Sequence, residues 1–234
     1  MAAVALSVDA FGGHTERASP PRVLFIGNSL TASNNLPQLV EAMSESVGSP
    51  LHCESIAFGG FSLEDHWNQE SAKRAIARGG WSTVVLQQGP SALPESRVLL
   101  VEYTRRFDAE IRRAGAGTAL YMVWPTADRR SDFDAVKASY EAAAKGVGGL
   151  FLPAGEAWRR AWQLDGRLAL YSPDGLHPTV AGSYLAALVI TRELTGRAID
   201  NVPAVFSLAG TPPLRIAVSD ADAIVLKRAA GSVK

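Results

Sequence analysis

Short apolar runs typical of strands alternate with helical patterns along this chain, and this alternation restricts the available folds more than any other feature. Strands are predicted over residues 23–26, 51–57, 83–87, 118–124 and 149–153. Helices are predicted over residues 36–47, 63–77, 95–114, 132–145 and 179–194. Because continuously apolar strands that alternate with helices form parallel sheets covered on both faces, the sequence predicts an α/β protein with a parallel sheet of about five strands.

The residues that directly follow the predicted strands are the first candidates for a functional site. In open parallel sheets, ligands bind beyond the carboxyl ends of the strands. These positions are residues 27–29, 58–60, 87–89, 124–125 and 153–155. A further loop ends at residue 178, just before the helix predicted from residue 179. These segments are expected to converge at one edge of the sheet.

Composition and charge exclude several classes of function. Lysine plus arginine and aspartate plus glutamate number 23 each, so the formal net charge is zero and a nucleic-acid partner is not expected. The single cysteine, Cys53, excludes an intrachain disulfide and is predicted to be a small buried residue. The four histidines lack the spacing of zinc ligands, so no metal is expected. No apolar run reaches the length of about 18 residues typical of a transmembrane helix.

Ser29 follows the first predicted strand and is a candidate nucleophile. A serine hydroxyl becomes effective only when a base takes its proton and a third group orients that base. His177 is the candidate base, and Asp174, three residues earlier, can reach its Nδ1 within one tight loop. The other imidazole nitrogen is then free to accept a proton. Each residue taken alone is also compatible with a structural role in a turn or helix cap.

Acyl transfer to a serine also requires hydrogen-bond donors for the developing oxyanion. The candidates are the backbone N–H groups of Ser29 and Gly60 and the side-chain amide of Gln87 or Gln88. Gly60 follows the second predicted strand and has no side chain that would block a substrate. The two glutamines follow the third strand. The alternative is that the glycine forms a plain turn and the glutamines an exposed strand end.

Four sequence blocks resemble those of the SGNH hydrolase superfamily, the GDSL-type esterases and lipases. They are FIGNSLT at 25–31, FGGFSLEDHW at 58–67, VVLQQGPS at 84–91 and DGLHP at 174–178. The resemblance covers residues 22–196 and is closest to a bacterial subgroup with a GNS first block, in which Asn28 replaces the aspartate of the name-giving motif. It implies a three-layer α/β/α sandwich with a flavodoxin-like sheet, and ester hydrolysis without metal or cofactor. It assigns Ser29 as nucleophile, His177 as base and Asp174 as the group that orients the base.

The third block departs from the family pattern. The family usually has Gly-x-Asn-Asp there, and the asparagine contributes to the oxyanion hole, whereas Gly89 is followed here by Pro90-Ser91-Ala92. Some relatives, including carbohydrate acetylesterases, have a glutamine in this block instead. The resemblance therefore assigns the third donor to Gln87 or Gln88. Loss of one such donor typically lowers the rate by about 10²–10³.

Residues near these blocks are candidates for a substrate pocket: Asn28, Leu30, Gly59, Trp67 and Trp124. Asn28 is expected either to brace the serine loop or only to tolerate an unusual backbone dihedral. Leu30 is expected to pack beneath the serine. Trp67 and Trp124 are compatible with a pocket position or with a place in the core.

Residues 1–21 are interpreted as an N-terminal arm, disordered or left from a trimmed signal, and residues 22–234 as one SGNH hydrolase-like domain. The C-terminal extension, residues 197–234, is expected to pack on that domain with a Pro-rich turn and a helix capped by Ser219. A cytoplasmic and a secreted location are both compatible with this organisation, and the sequence leaves the oligomeric state open.

The sequence therefore predicts a serine esterase that hydrolyses carboxylic esters, with short acyl groups, through an acyl-serine intermediate. The expected substrate is a small-molecule or carbohydrate ester, and no cofactor is expected. One alternative is an acyltransferase or carbohydrate O-acetylesterase on the same fold. The other is a non-catalytic carbohydrate-binding relative, which the missing asparagine of the third block favours.

Overall fold

The computed structural model describes residues 19–234, so residues 1–18 of the predicted N-terminal arm lie outside the described residues. The strands are β1 (Arg22–Gly27), β2 (His52–Ala57), β3 (Thr83–Leu86), β4 (Gly117–Tyr121), β5 (Leu150–Leu152), β6 (Val205–Leu208) and β7 (Leu214–Ala217). The helices are α1 (Ser29–Ala32), α2 (Leu36–Ser46), α3 (Leu63–Gln69), α4 (Ser71–Ala77), α5 (Pro94–Arg113), α6 (Phe133–Val147), α7 (Ala154–Leu164), α8 (Val180–Thr195) and α9 (Asp220–Ser232).

Strands β1 to β5 form one parallel sheet in the order β2-β1-β3-β4-β5. In this register Leu24 of β1 lies beside Glu54 of β2 and Val84 of β3. Strands β1 and β3 are almost fully buried because helices flank the sheet. The predicted α/β fold with a five-stranded parallel sheet is confirmed. The strand order is that of flavodoxin-like sheets, in which ligands bind where the order reverses, between β1 and β3.

The helices form two groups around the sheet. Helix α5 packs against α3, α4 and α6, while α8 packs against α2, α7 and α9. Both groups contain buried apolar side chains, and the largest fully buried side chains of the described residues include Trp124, Trp158 and Tyr121. Within the described part of the chain, no helix is long and apolar enough to cross a membrane.

The prediction of one helix over residues 63–77 is wrong, because the chain breaks into α3 and α4 at Glu70. Glu70 has a φ of 68°, in the left-handed region that non-glycine residues seldom adopt. No glycine or proline marks this break in the sequence. The bounds of helix α7 were not predicted, but the four-residue spacing of Trp158 and Trp162 indicates a helix face against the core, and both residues lie on α7.

The C-terminal extension contains more structure than a turn and a helix. Strands β6 and β7 form an antiparallel hairpin in which Val205 lies opposite Ala217. The predicted cap is present, since the side chain of Ser219 accepts a hydrogen bond from the N–H of Asp222 at 3.0 Å. Helix α9 then packs against α7 and α8. The hairpin was missed because each of its strands has only four residues, too few for a clear alternating pattern.

Candidate active site

Ser29, His177 and Asp174 form one connected group at the carboxyl edge of the sheet. The Oγ of Ser29 lies 2.8 Å from Nε2 of His177, although 148 residues separate them in the sequence. The Nδ1 of His177 lies 2.5 Å from Oδ2 of Asp174. Ser29 begins α1 directly beyond β1, at the point where the strand order reverses. The structure thus brings the three candidate catalytic residues into hydrogen-bonding contact.

A tight turn holds Asp174 and His177 in this relation. Oδ1 of Asp174 accepts hydrogen bonds from the N–H groups of Leu176 and His177, both at 2.9 Å. Gly175 has a φ of 70°, which glycine adopts without steric cost. The N–H of Ser172 donates to the carbonyl of His177 at 2.8 Å and closes the turn. Local backbone geometry therefore directs Oδ2 of the carboxylate toward the imidazole.

The charge on Asp174 decides the position of the imidazole proton. Hydrogen bonds from the N–H of Leu176, and then from the side chain and N–H of His177, lower the pKa of the Asp174 carboxyl to about 2. An ionised carboxylate can only accept hydrogen bonds, so the neutral imidazole carries its proton on Nδ1. Nε2 then accepts the hydrogen bond that the Ser29 hydroxyl donates. A general base for a serine nucleophile needs this arrangement.

Asn34, which the sequence interpretation did not single out, joins the segment after Ser29 to the start of α8. Its Nδ2 lies 2.8 Å from Oγ of Ser183 and 3.2 Å from the carbonyl of Thr179. Asn34 and Asn35 both have positive φ angles, 53° and 51°, which asparagine tolerates better than most residues. The Asn-Asn pair was the signal in the sequence for this unusual turn.

The Gln87 side chain braces the serine turn, residues 27–29. Its Oε1 accepts hydrogen bonds from the N–H of Asn28 at 2.9 Å and the hydroxyl of Thr31 at 2.7 Å. Its Nε2 donates to Oδ1 of Asn28 at 3.0 Å and to the carbonyl of Gln88 at 2.5 Å. Gln87 is fully buried and does not line the cavity over Ser29. Both of its amide hydrogens are therefore used within the protein.

The Gln88 side chain lines the cavity, but its amide hydrogens also have acceptors. Nε2 lies 2.8 Å from Oγ of Ser91 and 3.3 Å from the carbonyl of Ser96. Its Oε1 accepts a hydrogen bond from the N–H of Leu63 at 3.1 Å, which ties the β3–α5 connection to α3. Neither Gln87 nor Gln88 thus offers a free amide N–H as the expected third oxyanion donor.

Two candidate backbone donors border the cavity. Ser29 is the first residue of α1, so its N–H has no acceptor within that helix. Gly60 belongs to the glycine loop, residues 58–61, and has a φ of 75°. A Cβ at Gly60 would meet no atom within 4 Å, so the left-handed backbone conformation, not crowding, favours glycine there. Gly59, the other candidate from this loop, is not among the lining residues.

A cavity of about 550 Å³ opens over Ser29, within the usual size range of small-molecule sites. Asn28 and Leu30 are among its lining residues, although both are largely buried. The β3–α5 connection and the start of α5 form a wall, here called the apolar wall, whose apolar members are Pro90, Ala92, Leu93 and Leu99. Gln88, Ser91 and Ser96 of the same segment also line the cavity. The β4–α6 connection contributes a more polar wall that comprises Pro125, Thr126, Arg129 and Asp132.

The two tryptophans proposed for the pocket lie elsewhere. Trp67 packs edge-on against Phe107 at 5.2 Å between ring centroids and does not line the cavity. Trp124 is fully buried and stacks on Trp158 with ring centroids 3.5 Å apart. Its Nε1 donates to the carbonyl of Leu176 at 3.0 Å, which anchors the turn that carries His177. The pocket interpretation of both residues is therefore wrong, because each ring is packed against other aromatic rings.

Across residues 19–234, no group of three or more histidine, cysteine, aspartate or glutamate side chains is arranged to hold a metal ion. Cys53 is buried, and burial raises the pKa of its thiol, as expected for a small core residue.

Comparisons with known proteins rest on three-dimensional structure. No protein-family model matches the chain, and no curated protein is significantly similar to it in sequence. A protein assigned as an SGNH hydrolase from Slackia heliotrinireducens is 26% identical with a TM-score of 0.62, and the match covers 75% of this chain and 100% of the other.

Two further solved structures share the fold at lower identity. A DUF4886 family protein from Bacteroides uniformis is 20% identical with a TM-score of 0.73, over 91% of this chain and 93% of the other. An acetylxylan esterase from Geobacillus stearothermophilus is 18% identical with a TM-score of 0.57, and the match covers 75% of this chain and 94% of the other. By fold, this chain is structurally similar to the SGNH/GDSL hydrolases.

Proposed function

We propose that the protein is a serine esterase that hydrolyses carboxylic esters through an acyl-serine intermediate. The observation that carries the proposal is the hydrogen bond between Oγ of Ser29 and Nε2 of His177, at 2.8 Å, on an imidazole whose Nδ1 contacts the ionised Asp174. A serine, a base and an orienting carboxylate in this geometry suit nucleophilic catalysis.

In the proposed reaction, Oγ of Ser29 attacks the ester carbonyl carbon while Nε2 of His177 takes the hydroxyl proton. The carbon–oxygen bond to the alcohol then breaks, and His177 returns the proton to the leaving alcohol. Water attacks the acyl-serine, again giving a proton to His177. The bond to Oγ breaks, the carboxylic acid leaves and the serine regains its proton. Asp174 stays ionised and stabilises the imidazolium in both halves of the reaction.

The oxyanion is proposed to be held by backbone donors. Ser29 and Gly60 line the same cavity, and backbone N–H groups stabilise an oxyanion strongly when they are fixed in place. The amide hydrogens of Gln87 and Gln88 already have acceptors. The proposed oxyanion hole is therefore formed by the serine turn and the glycine loop, and its geometry depends on the relative position of these two segments.

The cavity suggests how the ester is oriented. The polar wall is tied to the turn that carries His177, since the N–H of Ala127 donates to the carbonyl of Gly175 at 2.8 Å. His177 must protonate the leaving alcohol, so the alcohol is placed against that wall. The acyl group then faces the apolar wall, which includes Leu93 and Leu99. This volume accommodates acetyl esters and longer acyl chains.

Hydrolysis of p-nitrophenyl acetate, butyrate and octanoate at pH 8 tests the proposal. Ser29→Ala is expected to lower kcat/KM by at least about 10³-fold without a change in circular dichroism or Tm. Ser46→Ala is the matched control, since that hydroxyl only donates to the carbonyl of Met43 on α2. Equal turnover of these esters by wild type and Ser29→Ala would show that Ser29 is not the nucleophile.

The same preparations separate the alternative functions. Acyl transfer to an added alcohol, detected as a new ester, would identify a transferase. Covalent labelling of Ser29 by a fluorophosphonate, absent in Ser29→Ala, is expected for the esterase. A folded wild type that neither labels nor hydrolyses any of the three esters would favour a non-catalytic binding protein.

A further inference from the structure

We propose that His66 is a positioning residue that fixes the serine turn against the glycine loop, and so sets the separation of the Ser29 and Gly60 N–H groups. The proposal rests on the esterase function proposed above, which uses these two N–H groups as oxyanion donors. His66 itself does not line the cavity and acts only through the two loops.

One carbonyl joins three segments of the chain at this point. Nε2 of the fully buried His66, on α3, lies 2.7 Å from the carbonyl oxygen of Gly27. The same oxygen accepts the N–H of Phe58 at 3.2 Å. Gly27 ends β1 two residues before Ser29, and Phe58 begins the glycine loop after β2. His66 therefore contacts the carbonyl where the serine turn and the glycine loop meet.

The His66 ring also supports the glycine loop from within. Its centroid lies 5.8 Å from the Phe58 ring and 5.2 Å from the Phe61 ring, and these two phenylalanines flank Gly60. A second tie joins the same segments, since Nδ2 of Asn28 donates to the carbonyl of Phe61 at 3.1 Å. The His66 imidazole thus packs under both ends of the loop that presents the Gly60 N–H.

The unpartnered nitrogen of the ring indicates why a histidine occupies this position. The carbonyl of Gly27 can only accept, so Nε2 carries the imidazole proton. Nδ1 is buried without a hydrogen-bond partner in the described part of the chain, which is unfavourable for a polar atom. An apolar side chain would fill the site without that cost. The contribution that offsets it is the hydrogen bond from Nε2 to Gly27.

Two polar variants differ in whether they can make this hydrogen bond. His66→Gln places an amide nitrogen as many bonds from Cβ as Nε2 is, so it can still reach the Gly27 carbonyl. His66→Asn places its amide nitrogen near the Nδ1 position, too short for that contact. We expect His66→Asn to lower kcat for p-nitrophenyl butyrate about 10²-fold with KM changed less than threefold. His66→Gln is expected to retain kcat within about tenfold of wild type.

A control separates positioning from general loss of stability. Trp81→Phe removes another buried hydrogen bond, from Nε1 to the carbonyl of Ala75 at 2.8 Å, at a place remote from the cavity. It is expected to lower Tm while leaving kcat unchanged. Equal losses of kcat in His66→Gln and His66→Asn, or a kcat within threefold of wild type in His66→Asn, would overturn the proposal.

A second measurement does not depend on ester turnover. The backbone amide ¹⁵N and ¹H shifts of Asn28, Ser29 and Gly60 are expected to change in His66→Asn and to return toward wild type in His66→Gln. Shifts unmoved in His66→Asn would refute the positioning role. If wild type and Ser29→Ala hydrolyse esters equally, the esterase function fails, while the amide shifts still decide whether His66 sets the loops.

Discussion

Replacement of Gln87 by methionine separates a bracing role from an oxyanion-hole role. Methionine has nearly the same length, so the change removes hydrogen bonds with little change in volume. The N–H of Asn28 and the hydroxyl of Thr31 would each lose the Oε1 acceptor. Oδ1 of Asn28 keeps the N–H of Leu30 at 3.0 Å, and the carbonyl of Gln88 keeps another donor. The variant therefore leaves two buried donors unsatisfied.

The expected loss of stability follows from those two donors. A buried donor left without an acceptor costs about 1–3 kcal/mol, so Gln87→Met is expected to lower the free energy of unfolding by about 3 kcal/mol. For a domain of this size, that corresponds to a Tm lower by about 6–12 °C. If Gln87 were instead an oxyanion donor, its loss would lower kcat by about 10²–10³ with little change in Tm.

A double-mutant cycle with Thr31→Val sharpens the test. Thr31→Val alone removes the hydroxyl and leaves Gln87 with the Asn28 donor, for an expected cost of about 1 kcal/mol. In the double variant the orphaned hydroxyl no longer exists, so the combined loss is expected to be about 1–2 kcal/mol smaller than the sum of the single losses. Urea unfolding of the four proteins measures this coupling. Additivity within about 0.5 kcal/mol, or an unchanged Tm in Gln87→Met, would refute the bracing argument.

Two further predictions concern the His177 turn. Because the pKa of the Asp174 carboxyl is about 2, this carboxylate stays ionised above about pH 4 and continues to orient the imidazole of His177 there. Protonation of Asp174 is therefore not expected to contribute to any fall of kcat/KM above about pH 4, and an Asp174 carboxyl ¹³C shift that titrates above that pH would contradict this. Trp124→Phe removes the hydrogen bond to Leu176 and is expected to lower both Tm and kcat, whereas Trp162→Phe, which loses an equivalent bond to another carbonyl, lowers Tm alone.

Much of the fold was accessible from sequence because its signals are local. The apolar runs and helix caps placed all five strands of the parallel sheet within a few residues of their observed bounds, and Ser219 was identified as a helix cap. Features without a local sequence signal were missed. Glu70 ends helix α3 by adopting a positive φ, and the short strands of the β6–β7 hairpin have no clear alternation of apolar and polar residues.

The candidate site was accessible to a similar extent. Ser29 was identified because it follows a predicted strand, and Asp174 and His177 because they lie three residues apart in one loop. The structure brings the three residues into contact. The side chains of Gln87 and Trp124 were assigned to the cavity, but both are buried away from it. Sequence position places both at strand ends, but their hydrogen-bond partners come from other strands and loops.

The sequence by itself determined the five strands of the parallel sheet and the main helices between them, and hence which residues lie at the carboxyl edge of the sheet, because periodicity and capping depend on neighbours along the chain. Only the tertiary structure decided which polar side chains line the cavity and which form hydrogen bonds to the loops around it. Hydrogen-bond satisfaction depends on contacts between distant segments, such as Gln87 with Asn28 and His66 with Gly27. A buried donor forms its hydrogen bond with the acceptor that tertiary packing places beside it, so its partner cannot be predicted from the residues nearby in the sequence.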